Sequence, residues 1–234
     1  EFAESLSAIM FKFTDIIMYF APFAVGGAIA YTIANLGIEV LHNLLLLLVT
    51  LYIALIVLVL FVFLPIIWIA KIPLKRFIKY VTQPVSIAFG TASSEAALPS
   101  AMENMEQFGV TREVVAFVLP TGLSFNLDGT TLYLALAAIF VAQAGGIELS
   151  ISQQIIMLLT LMLTSKGVAG VARASLVILA ATASSFGLPE WPIAAILGID
   201  ALMDMARTAV NTFGNCLATA RPFPHQKEYK PCFQ

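Results

Sequence analysis

The chain contains 234 residues, of which 60% are hydrophobic and 11% are charged, and its formal net charge is -2. Soluble globular domains carry about 25% charged residues, so this composition excludes an ordinary soluble domain and predicts an all-α polytopic membrane protein that lies in a lipid bilayer. Because no basic patch is present, a nucleic-acid partner is not expected. Cys216 and Cys232 have the spacing of neither a disulfide framework nor a metal site, so no cofactor is expected.

Three apolar segments are long enough to cross a bilayer, which takes about 20 residues in a helix. Residues 11–36 predict a first span, and residues 44–70, which contain no charged side chain, predict a second. Residues 37–43 between them are expected to form a short loop. The final segment predicts one helix over residues 190–220, followed by a polar tail at 221–234.

Three further apolar segments are interrupted by small and polar residues. The interruptions are GTASSEAALP from Gly90, SFNLDGTT from Ser124 and TSKGVAGVARAS from Thr164. The first and third leave pieces too short to cross and predict re-entrant hairpins, whereas the second predicts a broken transmembrane helix. The expected bounds are about 73–109 for hairpin 1, 111–145 for the broken helix and about 150–188 for hairpin 2.

The basic residues support this topology. Nine of the twelve lysines and arginines fall on one side of the membrane if the two segments are hairpins, and the loops around Glu39, Glu148 and Glu190 on the other side hold none. The positive-inside rule then places the basic side, with the C-terminus, in the cytoplasm. The other three lie at membrane depth or at a hairpin tip, where a charge is usually functional. They are Lys166, Arg173 and Arg207.

The order of these segments repeats with inverted topology. Hairpin 1 enters the membrane from the cytoplasmic side and is followed by the broken helix. Hairpin 2 enters from the outside and is followed by the last helix. Discontinuous helices in corresponding positions of two inverted halves point to a transporter site near the membrane midplane. Breaks at a single depth favour an occluding carrier over a channel, which requires a continuous polar pore. No GxSxG or HExxH motif indicates an enzyme.

The last helix carries a polar stripe inside otherwise apolar sequence. Its members follow one another at steps of one, three or four residues, so a helical period of 3.6 gathers them on one face. They are Asp200, Asp204, Arg207, Thr208, Asn211 and Asn215. Because the rest of the chain is too apolar to leave that face in bulk water, the stripe predicts a polar partner within the membrane.

Four motifs together resemble the glutamate transporter family of dicarboxylate and amino-acid:cation symporters. They are TASSEAALP, NLDGT, TSKGVAGV and DALMDMARTAVN, and the similarity runs from the first residue to about Ala220. The resemblance implies that the chain is the second half of such a protein, a fragment without four N-terminal spans. It also implies a scaffold-type helix at 1–37, a transport domain at 38–220 with elevator-type alternating access, a cytoplasmic tail at 221–234, and a homotrimer in the cell inner membrane.

An acidic amino acid presents two carboxylates and an ammonium group, so its site requires a forked cation, an anion and backbone donors. Arg207 suits bidentate pairing with the side-chain carboxylate, and Asp204, about one turn earlier, suits the ammonium. The alternative is a purely structural ion pair between these two residues. The resemblance assigns both the substrate role and adds contacts from Ser93, Ser94, Val171, Thr208 and Asn211.

The coupling ion is expected to be a proton, sodium or both. The resemblance matches sodium-site positions to Gly122, Ser124, Asn126, Asp128 and Asn211. Asn215 occupies a further such position but departs from the sodium-coupled pattern, which has an aspartate there, and resembles the proton-coupled bacterial carriers. Glu95 at the tip of hairpin 1 is the proton candidate, because a proton carrier must be an ionisable group that becomes neutral inside the membrane. A solvated tip facing the cytoplasm is the alternative for Glu95.

Arg173 lies in the tip of hairpin 2, which reads Gly170-Val171-Ala172-Arg173-Ala174 where the family usually has a proline. Two roles stay open for this arginine. It either supplies a second positive charge near the cavity or extends its side chain into the outer vestibule.

The expected function is secondary symport of glutamate or aspartate. Symport of C4-dicarboxylates is one alternative within the same family. The other is that the chain, as a fragment, is inactive by itself.

Overall fold

The computed structural model of the chain describes residues 19–167 and 174–220, together with residues 9, 12 and 13. All regular secondary structure in this part of the chain is helical, as the composition predicts. Helix α1 spans Ala21–Leu36 and has Pro22 in its first turn, where the missing N–H leaves no hydrogen bond unmade. The chain then passes through Gly37, whose φ of 79° is one that glycine adopts readily.

Helix α2 spans Glu39–Ile69, so the connection after α1 is shorter than the loop predicted at 37–43. Residues Val59–Phe63 widen into a π-helical turn, in which the N–H of Leu64 bonds to the carbonyl of Val59. Pro65 follows at once, and it has no N–H to donate to the preceding turn. The π turn is the local adjustment that carries the helix past this proline.

Helices α3, Leu74–Thr91, and α4, Ser94–Phe108, form the first predicted hairpin. The chain reverses through Ala92, which has a φ of 50°, and Ser93, whose hydroxyl caps α4 by accepting from the N–H of Ala96 at 3.2 Å. Asn104 Nδ2 donates to the carbonyl of Tyr80 at 2.9 Å. Because these residues lie equally far on either side of the turn, the two helices run antiparallel.

The predicted broken helix consists of α5, Arg112–Phe125, and α6, Asp128–Ala144. Only Asn126 and Leu127 separate them, and both have non-helical backbone angles. Asn126 has a φ of -109° and a ψ of 71°, and Leu127 has a φ of -107° and a ψ of 57°. The interruption is therefore narrower than the SFNLDGTT motif suggests, because Asp128, Gly129 and Thr130 already belong to the first turn of α6.

Helix α7 spans Ile151–Thr164 and begins with a capping box between Ser150 and Gln153. A short 3₁₀ turn, Ser165–Gly167, follows, and α8 spans Ala174–Ser185. Residues 168–173 lie outside the described residues, so the predictions for Val171 and Arg173 have no structural outcome. The predicted polar tail at 221–234 is outside them as well.

The prediction of one continuous helix over 190–220 is wrong. The structure has α9, Trp191–Leu197, and α10, Asp200–Ala220, with a turn at Gly198 and Ile199 between them. The side chain of Ile29 on α1 packs onto Gly198 so closely that a Cβ at Gly198 would lie 2.6 Å from Ile29 Cγ1. Glycine weakens a helix, and here it also permits this contact, which is why the helix ends early.

Helix α10 lies at the centre of the described structure and packs against α2, α3, α4, α5 and α6. One apolar cluster, which includes Leu51, Tyr133 and Leu161, lies on one side of it, and a second, which includes Phe77 and Met105, lies on the other. Phe213 of α10 joins the second cluster: its ring stacks on Phe63 at 5.6 Å and meets Phe77 edge-on at 5.5 Å. The polar stripe of α10 is therefore enclosed by other helices.

Two helical stretches of the described chain, Glu39–Ile69 and Arg112–Ala144, have the length and hydropathy needed to cross a membrane. The first exposes large apolar side chains along its length, including Phe61, Trp68 and Ile69. Such a surface is suited to contact with lipid chains rather than water. Both features agree with the membrane protein predicted from the composition.

The closest backbone approach to α10 is at Gly129, where a Cβ would lie 2.6 Å from the carbonyl oxygen of Arg207. We expect Gly129→Ala to destabilise the full-length protein by about 1–3 kcal/mol, because neither backbone yields easily. Gly90→Ala is the matched control, since no atom of the described residues lies within 4 Å of a Cβ there. Thermal unfolding in detergent provides the measurement, and equal midpoints for the two variants would contradict the expectation.

Candidate functional site

Arg207 is the centre of a buried cluster of charges on α10. Its Nε donates to Asp204 Oδ1 at 2.8 Å, and its Nη1 lies 3.6 Å from Asp200 Oδ1. Arg207 is 2% exposed and Asp200 is 0% exposed, so these charges interact through protein rather than through water. One guanidinium therefore faces two carboxylates inside the helical core.

Tyr133 of α6 completes this cluster from the opposite side. The guanidinium carbon of Arg207 lies 4.1 Å from the centre of the Tyr133 ring, which is cation–π distance. The Tyr133 hydroxyl donates to Asp200 Oδ1 at 3.0 Å. Tyr133 thus contacts the guanidinium through its ring and the Asp200 carboxylate through its hydroxyl.

The cluster also contains an unsatisfied donor. Nη1 of Arg207 is buried and makes no hydrogen bond to any residue that the structure describes. Asp204 Oδ1, in contrast, already accepts from Nε and from the Thr208 hydroxyl, the latter at 3.1 Å. A buried N–H without an acceptor is unfavourable, so Nη1 keeps the capacity to donate a hydrogen bond in addition to its ion pair with Asp200 Oδ1 at 3.6 Å.

Asn211 satisfies the backbone at the beginning of α6. Its Oδ1 accepts from the N–H of Gly129 at 2.8 Å and from that of Thr130 at 3.3 Å, and its Nδ2 donates to the Thr130 hydroxyl at 2.9 Å. This is a helix cap supplied by another helix, 82 residues away in sequence from Gly129. In this structure both polar atoms of the Asn211 side chain are engaged in the cap.

The residues matched to sodium positions meet around the break between α5 and α6. Asn126 Nδ2 donates to Asn215 Oδ1 at 2.9 Å, and a Cβ on Gly122 would lie only 2.5 Å from the same oxygen. Asp128 Oδ2 packs against Gly214, where an added Cβ would lie 3.1 Å away. Ser124 is half-buried in the last turn of α5. The structure therefore brings α10 and the break together, and the Asn215 side chain packs against Gly122.

The tip of the first hairpin also reaches α10. The Thr212 hydroxyl lies 3.5 Å from the Ser94 hydroxyl, while Ser93 next to it caps α4. Ser93, Ser94 and Glu95 are all half-buried. The tip is thus close to the polar stripe, and the proton role of Glu95 stays a prediction.

Sequence reasoning missed two partners of α10. No local pattern distinguishes Tyr133, although it contacts both Arg207 and Asp200. Tyr52 on α2 donates its hydroxyl to the carbonyl of Leu202 at 2.9 Å. The available signal was that Tyr52 and Thr50 are the polar residues in a span without charges, since a buried tyrosine hydroxyl usually finds an acceptor.

These features define a helical membrane protein with a buried ionic cluster beside an interrupted helix. The sequence model of the sodium:dicarboxylate symporter family matches residues 1–221. The chain therefore belongs to this family, and the family resemblance inferred from the four motifs is confirmed.

Individual relatives agree with this assignment. The chain is 48% identical over 221 residues to the proton/sodium-glutamate symport protein of Geobacillus stearothermophilus, covering 93% of this chain and 52% of that protein. It is 45% identical over 215 residues, 92% of this chain and 49% of the relative, to the proton/glutamate-aspartate symporter of Escherichia coli K12. It is 44% identical over 220 residues to the C4-dicarboxylate transport protein 2 of Pseudomonas aeruginosa, which covers 94% of this chain and 50% of that protein. The chain spans about half the length of the curated relatives it matches.

The cap on α6 gives a test of the site's construction. We expect Asn211→Leu to lower the free energy of unfolding of the full-length protein by about 1–3 kcal/mol, because it leaves the N–H groups of Gly129 and Thr130 without their acceptor. Thr219→Val is the control, since among the described residues the Thr219 hydroxyl bonds to the carbonyl of Asn215 in its own helix and to no other group. Unchanged stability of Asn211→Leu relative to this control would show that the cap contributes nothing.

Proposed function

We propose that the full-length protein is a secondary symporter that moves acidic amino acids, glutamate or aspartate, together with protons, sodium or both. The observation that carries this proposal is the buried Arg207 guanidinium, which has an unsatisfied Nη1 among the described residues and lies beside an interrupted helix. The names of the Geobacillus and Escherichia relatives support the same class of substrate.

In this proposal Arg207 and Asp204 divide the recognition of the substrate. Nη1 of Arg207 donates to the side-chain carboxylate, and the second oxygen of Asp204 accepts from the substrate ammonium. Thr208 and Asn211 on the same helix, Ser93 and Ser94 at the first hairpin tip, and Val171 at the second complete the contacts. The Thr212–Ser94 approach supports a first tip within reach of this face.

The charges of the cluster explain why a cation travels with the substrate. Arg207 with Asp200 and Asp204 amounts to one positive and two negative formal charges. An acidic amino acid adds one further net negative charge to a site that is closed to water. Such an accumulation is unfavourable in a low-dielectric interior, so binding is favoured when a cation enters with the substrate.

Transport requires motion, because the cluster is buried in this structure. We propose that hairpins 1 and 2 are re-entrant, belong to two inverted repeats, and act as gates on opposite sides of the site. Residues 38–220 then form the transport domain of an elevator-type carrier, with 1–37 belonging to the scaffold. The antiparallel pair α3 and α4 and the break between α5 and α6 support this arrangement.

The assembly and location follow from the same proposal. The full-length protein is a homotrimer in the cell inner membrane, with its C-terminus and residues 221–234 in the cytoplasm. Exposed basic side chains at the membrane edge support this orientation under the positive-inside rule. They include Lys71, Lys75, Arg76, Lys79 and Arg112.

Arg207 sets the requirement for an acidic substrate. We expect Arg207→Ala to weaken glutamate or aspartate binding to the full-length protein by about 2–5 kcal/mol, since the substrate carboxylate loses its buried counter-charge. Arg112→Ala, an exposed arginine, is the control and leaves affinity unchanged. Calorimetric titration in detergent measures both, and full affinity in Arg207→Ala would remove Arg207 from the binding site.

C4-dicarboxylates are the second candidate substrates, because the Pseudomonas relative is named as a C4-dicarboxylate transport protein. Succinate has two carboxylates and no ammonium, so it does not use Asp204 as an acceptor. Tighter binding of succinate than of glutamate and aspartate would favour this second candidate over the amino-acid symporter.

The coupling ion is proposed to be the proton more than sodium, because Asn215 provides no negative charge and bonds instead to Asn126. Glu95 is the proposed proton carrier. We expect uptake by the full-length protein in vesicles to collapse with a proton ionophore and to persist without sodium. Asn215→Asp should raise the dependence on sodium, because a carboxylate favours a hard cation. Uptake that stops without sodium and ignores the ionophore would reverse the assignment.

A further inference from the structure

Lys166 makes a contact that none of the roles above explains. It lies in the 3₁₀ turn that follows α7, and its Nζ donates to the carbonyl oxygen of Phe125 at 2.7 Å. Phe125 is the last residue of α5, immediately before the break. The bond therefore joins the first arm of hairpin 2 to the interrupted helix, across 41 residues of sequence.

The acceptor of this bond lies at the negative end of a helix. The last four carbonyls of a helix have no intrahelical N–H partner, and the helix dipole favours a cation beside them. The chain cannot continue the helix after Phe125, because Asn126 and Leu127 are non-helical. The Lys166 ammonium supplies both the missing donor and the positive charge.

The surroundings of this bond are those of a cation site. The Asp128 carboxylate, on the other side of the break, interacts electrostatically with Lys166. Unwound carbonyls and the C-terminal ends of half-helices are the groups that coordinate coupling cations in many secondary transporters. At the end of α5, however, one such carbonyl is already occupied by a cation that belongs to the chain.

We infer that Lys166 is a resident cation that replaces one free coupling cation at the C-terminal end of α5 and ties hairpin 2 to the break. This inference rests on the proposed symport function. Its consequence is that substrate binding requires one free cation fewer than it would with a neutral residue at position 166. Because the ammonium is attached to hairpin 2, release of the Phe125 carbonyl accompanies any separation of that hairpin from α5.

Removal of the Lys166 ammonium should make substrate binding depend on a free monovalent cation. In Lys166→Ala the Phe125 carbonyl loses its donor, and the space of the lysine side chain is open to a small monovalent cation. We expect the affinity of the full-length variant for glutamate or aspartate to fall about tenfold in choline chloride, which is the lower end of the effect of losing one charge-assisted hydrogen bond. Methylammonium chloride or sodium chloride should restore most of it.

Calorimetric titration of the purified wild type and variants in the three salts measures this effect. The wild type should gain nothing from methylammonium, because its own ammonium occupies the carbonyl. Lys166→Arg, which retains a cationic donor, should bind in choline nearly as the wild type does. Lys75→Ala, which removes an exposed lysine from α3, is the matched control and should leave binding unchanged in every salt.

Lys166→Met keeps the result interpretable if Lys166→Ala does not fold. Methionine fills the space without a charge, so this variant should bind weakly in choline and should not recover in methylammonium. Wild-type affinity of either variant in choline would overturn the inference, as would a loss in Lys166→Ala that neither methylammonium nor sodium restores.

A second measurement separates this inference from the proposed function. If the wild type binds no acidic amino acid or dicarboxylate, the proposed function fails, and thermal unfolding without substrate then decides the role of Lys166. The midpoint of Lys166→Ala, or of Lys166→Met if the former does not fold, should lie below that of wild type in choline. Methylammonium should raise the unfolding midpoint of Lys166→Ala but not that of Lys166→Met. Variant midpoints equal to that of the wild type in all three salts would overturn the inference.

Discussion

The structure depends on the satisfaction of backbone groups freed where α5 gives way to α6. Water cannot reach such groups in the hydrocarbon region, so other parts of the protein must bind them. Asn211 from α10 binds the N–H groups of Gly129 and Thr130, and Lys166 from the turn after α7 binds the carbonyl of Phe125. The two ends of one break are thus held by two different elements, which fixes the position of both relative to the broken helix.

Close approach of helices makes these bonds possible. Gly129 lets α6 come within contact of the Arg207 carbonyl, and Gly122 provides the space that Asn215 occupies. The same proximity places the Tyr133 ring on the Arg207 guanidinium and its hydroxyl on Asp200. The polar cap and the ionic cluster are consequently parts of one interface between α6 and α10, and a change in helix spacing affects both.

The buried ionic cluster is weak evidence for stability. Burying one guanidinium and two carboxylates carries a desolvation penalty that their mutual attraction need not repay, and apolar residues would often pack as well. The proposed substrate recognition rests on the charges of Asp204 and Arg207. The Nη1 of Arg207, which makes no hydrogen bond among the described residues, is the group that the proposed function assigns to the substrate carboxylate.

The sequence by itself determined the class of protein, the antiparallel pair α3–α4, the existence of a break in the segment 111–145, and the polar face of α10. These features depend on local run length, helical period and small polar residues. Only the tertiary structure decided that the final segment divides at Gly198, since Ile29 of a distant helix packs there. It alone also decided which atoms pair: Asn211 with α6, Lys166 with Phe125, and Tyr133 with Arg207 and Asp200. These partners are tens of residues apart, and helix packing and individual side-chain rotamers, which no local pattern encodes, bring their atoms within hydrogen-bonding distance.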